Sequence, residues 1–218
     1  MKTPFLHPGP IGALAAIVAS ACASAGRPSP STELRPTATD QTAPAPAADY
    51  TPADVFFMSG MIAHHAQAVL IAGWAPTHGA GPSVRALCDR TVVGQRDEIM
   101  LMQRWLRERN LPVPDGDASH DTMAAMQHTA PMPGMLTPQQ LAQLDRATGA
   151  EFDRLFLTFM IQHHRGAITM VDDLFSSPGA GEQERVFRLA SDIFADQSTE
   201  IARMQQMLAA LPPDGRKP

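Results

Sequence analysis

The feature that most constrains this chain is a pair of adjacent histidines that occurs twice inside an apolar helical pattern. The stretches "FMSGMIAHHAQAV" (Phe57–Val69) and "LTFMIQHHRGAI" (Leu157–Ile168) each place two histidines where a helix is expected to bury its side chains. Seven residues match between the two copies at one constant offset: Asp54, Phe57, Met61, Ile62, His64, His65 and Ala68 correspond to Asp153, Phe156, Met160, Ile161, His163, His164 and Ala167.

A second matching segment follows each histidine pair. "QRDEIMLM" (Gln95–Met102) corresponds to "QSTEIARM" (Gln197–Met204). Each half of the chain is therefore predicted to be a hairpin of one HH helix and one QxxEI helix. Duplication of such a unit predicts a pseudo-twofold arrangement of two hairpins.

Capping and breaking residues predict where the helices lie. "TPAD" from Thr51 and "TPQQ" from Thr137 have the composition of helix starts, and proline or glycine follows most predicted helix ends. The predicted helices cover about 52–74, 83–109, a short segment from 137 to near 149, then 150–175 and 182–211. The pattern predicts an all-α fold, a ferritin-like four-helix bundle of two duplicated helical hairpins with a long crossover. An up-down bundle with a looped-out link is the alternative.

The N-terminal part has the composition of an export signal and a tether. Lys2 precedes a short apolar run, Ile11–Ala21, which is too short to span a bilayer. The run ends "VASAC", which resembles a lipobox, so we expect residues 1–22 to be a lipoprotein-type signal peptide with Cys22 as the lipidated residue. Residues 23–50, rich in Pro, Ala and Thr, are expected to be a disordered linker, and residues 51–211 the bundle. Ordinary cleavage and secretion is the alternative to a lipid anchor in the cell envelope.

Charge and cysteine content narrow the function classes. The net charge of −5 and pI of about 5.9 argue against a nucleic-acid partner. With Cys22 lipidated, Cys88 is the one remaining cysteine, and we expect it to be an inert buried thiol. Stability must then come from core packing rather than a disulfide.

Helical geometry separates the two histidines of each pair. Asp54, Met61 and His65 lie on one stripe, whereas His64 lies on the neighbouring one, and the second copy repeats this with Asp153, Met160, His164 and His163. Adjacent histidines suit an ion that lies between helices and takes one ligand from each. Hydrogen-bonded core histidines are the alternative, and Asp54 is also suited to a capping box.

The second helix of each hairpin carries polar groups on a mainly apolar stripe. Gln95 and Glu98, like Gln197 and Glu200, are costly to bury without partners, and the facing histidines are the expected partners. We therefore expect these four residues to orient the histidines rather than to bind an ion directly.

The predicted crossover contains an unusual density of soft donors. The segment Ser119–Met135 includes His120, Met123, Met126, His128, Met132 and Met135, a candidate auxiliary site for Cu(I) or Ag(I). The alternative is a loop whose methionines cover the bundle.

These motifs resemble one bacterial protein family. "FDRLFLTFMIQHHRGAITM", with "MPGMLTPQQLAQL" before it and "QSTEIARM" after it, resembles the domain-of-unknown-function 305 family over nearly all of residues 50–211. The resemblance implies an exported, ferritin-like helical bundle, in a family that includes the CopM-type periplasmic copper-binding proteins. It also implies His64, His65, His163, His164, Met61 and Met160 as leading ligands. Asp54 and Asp153 are further candidates because they lie on the same helical stripes as His65 and His164.

Three functions remain open from the sequence. The first is an exported Cu(I)- or Ag(I)-binding protein for metal buffering or tolerance, which needs no catalytic step and whose protein partner is not indicated. The second is a di-iron or di-manganese oxidoreductase, although the repeats contain no Glu-x-x-His. The third is a structural or partner-binding bundle without metal. The sequence contains no Gly-x-Ser-x-Gly, phosphate-binding glycine loop or His-Glu-x-x-His motif.

Overall fold

The computed structural model describes residues 48–117 and 132–212, and these residues form helices and connecting turns without strands. The helices are α1 (Pro52–Gly73), α2 (Pro82–Glu108), α3 (Pro138–Arg146), α4 (Ala150–Ser176) and α5 (Glu184–Ala210). The predicted fold class, an all-α ferritin-like bundle of two hairpins with a long crossover, is confirmed. The signal peptide with Cys22 and most of the proposed linker lie outside the described residues.

Local capping explains why the helices begin where they do. Thr51 accepts from the backbone N–H of Asp54, and the Asp54 carboxylate accepts from the N–H of Thr51, which completes a capping box. Thr137 and Gln140 form the same reciprocal pair at α3. Because these hydrogen bonds join residues that are three positions apart, they can be predicted from the sequence.

The two HH helices form the centre of the bundle. Helix α1 packs along α2, α4 packs along α5, and the hairpins meet where α1 packs against α4. An up-down arrangement would instead place α2 against α4. By length and composition α1 could span a membrane, yet 67% of its most apolar window is buried inside the bundle. A helix that is apolar nearly all round is expected at such a central position.

A short piece of the crossover, residues 132–136, lies across α1 and α4, and we term it the strap. The backbone N–H of Leu136 donates to Oε1 of Gln67 (2.7 Å), and Gln67 Nε2 donates back to the Leu136 carbonyl (3.2 Å). From the other helix, Gln162 Nε2 donates to the carbonyl of Gly134 (3.3 Å). Gly134 has a φ of +76°, and Gly166 on α4 lies directly under the strap. The strap therefore fits because two glycines let backbones approach closely.

Two aspartates join the hairpins in a pseudo-symmetric way. Asp54, in the first turn of α1, accepts from the N–H of Gly181 in the α4–α5 turn (2.7 Å). Asp153, in the first turn of α4, accepts from the N–H of Gly81 in the α1–α2 turn (3.1 Å to each oxygen). Burial raises the pKa of Asp153, and the bond from Gly81 opposes this rise. Each central helix thus holds the turn of the opposite hairpin.

The contact between the strap and α4 predicts a strong effect of one added methyl group. A Cβ at position 166 would overlap the carbonyl group of Pro133, so we expect Gly166→Ala to lower the free energy of unfolding by roughly 1–3 kcal/mol. The matched control is Gly94→Ala on α2, where a Cβ meets nothing within 4 Å. That change should raise the free energy of unfolding by about 0.5–1 kcal/mol. Urea denaturation measures both, and equal effects would contradict the packing described for the strap.

Candidate metal centre

Four imidazoles lie together where α1 and α4 pack against each other. His64, His65, His163 and His164 are all 0% exposed. The rings of His64 and His163, one from each helix, have centroids 3.8 Å apart with a 38° angle between their planes. Within each adjacent pair the centroids are more than 6 Å apart. The close neighbours are thus contributed by different helices.

Three of the imidazoles are held through their Nε2 atoms. His65 Nε2 lies 2.7 Å from Oε2 of Glu98, and His164 Nε2 lies 2.6 Å from Oε2 of Glu200. His64 Nε2 lies 3.0 Å from the carbonyl oxygen of Pro133 in the strap. Carboxylate and carbonyl oxygens accept hydrogen bonds, so we assign the proton to Nε2 in each ring. The neutral ring then carries its lone pair on Nδ1.

Those Nδ1 atoms have no hydrogen-bond partner among the described residues. The same holds for both ring nitrogens of His163. A buried polar group without a partner costs roughly 1–3 kcal/mol. The centre therefore contains several buried nitrogen atoms whose hydrogen-bonding capacity the folded chain leaves unused.

Burial and mutual proximity keep the two facing rings neutral. The pKa of His64 is lowered to about 3, first by burial and then by the nearby His65, against the opposing effect of the Pro133 carbonyl. The pKa of His163 is lowered well below its ordinary value, first by burial and then by the neighbouring imidazoles, against the opposing effect of the nearby His64 backbone. Neutral imidazole is the form that binds metal ions.

The two candidate thioethers are buried close to the imidazoles in sequence and along the helix. Met61 and Met160 are 0% exposed, and each precedes its histidine pair by one helical turn, about 5 Å along the axis. Each lies in a different one of the two apolar clusters that form the core. Sulfur donors are thus available on both central helices.

The two candidate aspartates lie elsewhere. Asp54 and Asp153 accept from turn amides, and they are about 15 Å from the imidazoles along their helices. Met132 and Met135 belong to the strap, and Met132 packs over Gly60. His120, Met123, Met126 and His128 lie outside the described residues.

The four polar residues expected to orient the histidines divide into two kinds. Glu98 and Glu200 hold His65 and His164, as described above. Gln95 and Gln197 form no hydrogen bond to an imidazole within the described residues, and both amide atoms of Gln95 and the Gln197 oxygen lack partners there.

Two contributors to the site were not predicted from sequence. The carbonyl of Pro133 fixes His64, and Gln67 anchors the strap that supplies this carbonyl. Gln67 stands three residues after His64 on a buried helix, and a polar amide at such a position is the signal that could have indicated a partner.

The donor set limits which metal ions fit. Within residues 48–117 and 132–212, no three His, Cys, Asp or Glu side chains are arranged to hold one ion. Cys88 is buried, and burial raises its thiol pKa to about 12, which opposes thiolate ligation. The remaining donors are imidazole nitrogens and thioether sulfurs, a set that suits soft ions of low coordination number.

Neutral buried imidazoles predict a pH-dependent stability of the metal-free protein. The unfolded state binds protons below pH 6.5 while folded His64 stays neutral to about pH 3, so stability should fall as pH decreases through this window. Each such imidazole contributes up to about 1.4 kcal/mol per pH unit. Urea denaturation between pH 6.5 and 5 measures the slope. In His163→Leu, unfolding should take up one proton fewer, so the dependence of stability on pH should become shallower. An unchanged slope would contradict the neutral state of His163.

Comparison with known proteins places these features in a family. The model of the domain of unknown function 305 (DUF305) matches residues 54–208. No curated protein matches the chain. A DUF305 protein from Streptomyces coelicolor, described as secreted, is 29% identical over 75% of this chain and 94% of its own, with a TM-score of 0.60. A DUF305 fragment from Deinococcus radiodurans is 28% identical over 74% and 99%, with a TM-score of 0.62.

Structures of CopM are also similar. CopM in its Cu(I)-bound form is 27% identical over 72% of this chain and 95% of its own, with a TM-score of 0.55. Similar CopM structures were solved in Cu(II)-bound and Ag-bound forms. Because the family model spans both hairpins and the crossover, this chain belongs to the DUF305 family.

Proposed function

We propose that this protein binds Cu(I) or Ag(I) at the centre between α1 and α4 and acts in metal buffering or tolerance in the cell envelope. The proposal rests mainly on the environment of His163. Its ring is fully buried against His64, and neither nitrogen has a partner in the described structure.

The residues present fit a soft metal ion. A core histidine with a purely structural role is expected to be hydrogen-bonded, because an unpartnered buried nitrogen lowers stability. An ion between the central helices would use lone pairs that the fold leaves free. The Nε2 contacts to Glu98, Glu200 and Pro133 resemble the outer hydrogen bonds that orient metal-ligating histidines.

We assign the ligand roles from these contacts. Because no three imidazoles in the described residues are arranged to hold one ion, each ion takes two of the four, His163 and His64 first, with His65 or His164 as substitutes through Nδ1. Thioether sulfur comes from Met61 or Met160. Two or three such donors satisfy Cu(I) or Ag(I), both of which prefer soft ligands. Glu98 and Glu200 add negative charge nearby without being required as ligands.

The relatives support the metal and the location. CopM, a protein of similar fold, has been crystallised with Cu(I), Cu(II) and Ag. The Streptomyces relative is described as secreted, in agreement with the export signal expected at residues 1–22. Acylation of Cys22 would then attach the protein to a membrane.

The oxidoreductase alternative is less well supported. A di-iron or di-manganese centre needs several carboxylate ligands. Here Asp54 and Asp153 bind turn amides, and Glu98 and Glu200 bind imidazoles. Within the described residues, no three carboxylate or imidazole side chains are arranged to hold one ion directly.

Metal titration of His163→Leu tests the proposal. Metal-free protein would be titrated with Cu(I) against a chromophoric chelator, or with Ag(I) while thermal stability is followed. We expect the affinity to fall more than tenfold, because a direct ligand is lost. The metal-free variant should be more stable by about 1 kcal/mol, since an unpartnered polar ring is replaced by an apolar side chain.

His78→Gln is the matched control for losing one imidazole. His78 lies outside the centre, where its nitrogens lie within hydrogen-bonding distance of Trp74 and Asp145 carbonyls. The affinity of the His78→Gln variant for Cu(I) should equal that of the unaltered protein. Equal affinity in His163→Leu, or thermal stability that ignores added Ag(I), would refute the proposal and favour the metal-free bundle.

A further inference from the structure

A polar opening lies between α2 and α5 and is lined by residues of these two helices. Its cavity volume is about 270 Å³. We term it the acidic seam and define it by Thr91, Gln95, Glu98, Asp196, Gln197 and Glu200. The glutamine and glutamate of the duplicated QxxEI motif therefore line it from both sides.

The walls of the acidic seam contain buried polar atoms without partners. Thr91 Oγ1, both amide atoms of Gln95 and Oε1 of Gln197 form no hydrogen bond in the described structure. These three residues are only 2–3% exposed. Each such group is expected to have a protein, water or ion partner. Their clustering on one cavity indicates that the cavity holds a polar occupant.

The charge of the acidic seam specifies the sign of that occupant. Three carboxylates, Glu98, Asp196 and Glu200, outnumber the one cation, Arg90. Burial raises the pKa of Asp196, and so do the negative charges of Glu98, Glu200 and Asp192. A partly enclosed cavity lined by one sign of charge concentrates ions of the opposite sign.

Three other cavities differ from the acidic seam. Of the two beside the strap, one is lined by Arg165 and by no carboxylate, and the other has the single carboxylate Asp173 among mainly apolar side chains. The cavity farther along α2 and α5 has Arg104, Arg185 and Arg188 against Glu108 and Asp192. The acidic seam therefore has more carboxylates than any of these three cavities without a matching number of cations, and it should attract a cation most strongly.

The acidic seam is also directly connected to the imidazoles. Glu98 and Glu200 form part of its wall, and the same carboxylates accept from His65 and His164. His64 is instead held by the Pro133 carbonyl of the strap, which does not line the acidic seam. A cation in the seam is thus separated from the buried rings by one layer of side chains.

We propose that the acidic seam is a second cation site, which takes a hydrated metal ion through oxygen donors and delivers it to the imidazoles. Water must remain on the ion, because no three acidic or imidazole side chains among the described residues can hold it directly. Carboxylates, carboxamide oxygens and a hydroxyl are suited to bind such a hydrated ion. The delivery step rests on the proposed function, whereas the seam site stands by itself.

Mn²⁺ is a suitable probe for the site, since it prefers oxygen ligands, retains water and broadens nearby NMR signals. Substoichiometric Mn²⁺ added to ¹⁵N-labelled protein should broaden the amide signals of residues 91–98 and 196–200 before all others. Asp196→Asn should weaken this broadening severalfold. The matched control, Asp172→Asn, removes an exposed carboxylate from α4 and should leave it unchanged. Broadening that is uniform over the surface, or equal in both variants, would overturn the site.

The rate of Ag(I) loading tests delivery. Asp196→Asn should load about threefold more slowly than Asp172→Asn at low ionic strength, and the difference should vanish in high salt. A purely structural effect would persist in salt, so an equal or salt-independent rate would overturn delivery. Mn²⁺ binding in the seam without any Ag(I) uptake would instead refute the proposed function while leaving the seam as a cation site.

Discussion

The contact between His64 and His163 is the constraint on which the rest of the structure depends. Two fully buried imidazoles with centroids 3.8 Å apart cannot both be charged, so burial must keep them neutral. This requires apolar packing around the point where α1 meets α4, supplied by the methionine and phenylalanine side chains of both helices. It also requires a polar partner for His64 that carries no charge, and the Pro133 carbonyl meets that need. The apolar core therefore offsets the cost of nitrogens that the fold leaves without partners.

The duplicated sequence gives a symmetry that the crossover then breaks. The pairs His65–Glu98 and His164–Glu200 are equivalent in the two halves, and so are the bonds from the turn glycines to Asp54 and Asp153. The strap exists once, because one connection joins the two hairpins. The strap carbonyl contacts Nε2 of His64, whereas neither ring nitrogen of His163 forms a hydrogen bond of normal geometry among the described residues. For the proposed metal ion, this asymmetry makes His163 the more available ligand, although His64 and His163 are equivalent positions in the sequence repeat.

Local physics explains which expectations could be made from sequence. The bounds of the four long helices were predicted to within two residues because capping boxes, proline and glycine act over three or four positions, whereas α3 ends about three residues earlier than predicted. The facing of Glu98 and His65 followed from helical stripes on adjacent helices. The second contact of Asp54, with the N–H of Gly181, could not be predicted, because Gly181 lies far away along the chain and no local pattern links the two residues. The contact of the Pro133 carbonyl with His64 could not be predicted either, because every residue has a backbone oxygen and the sequence does not show which one is used. Met61 and Met160 as ligands, and the lipidation of Cys22, stay predictions.

The position of the carboxylates is the last element that distinguishes this bundle from a hard-metal centre. In di-iron bundles the carboxylates project inward and coordinate the ions. Here Glu98 and Glu200 stand at the edge of the core, partly exposed, with one side toward an imidazole and the other toward the acidic seam. In the proposed function, they would neutralise the charge of an ion moving inward, while the proposed innermost ligands are neutral nitrogen and sulfur. A soft monovalent ion gains most from this division, because its few ligands need no charge and its single positive charge is balanced from the edge. The two proposed sites would thus have different tasks. The acidic seam would attract a hydrated ion by its charge, and the buried imidazoles and thioethers would retain the ion through their lone pairs in a dry core.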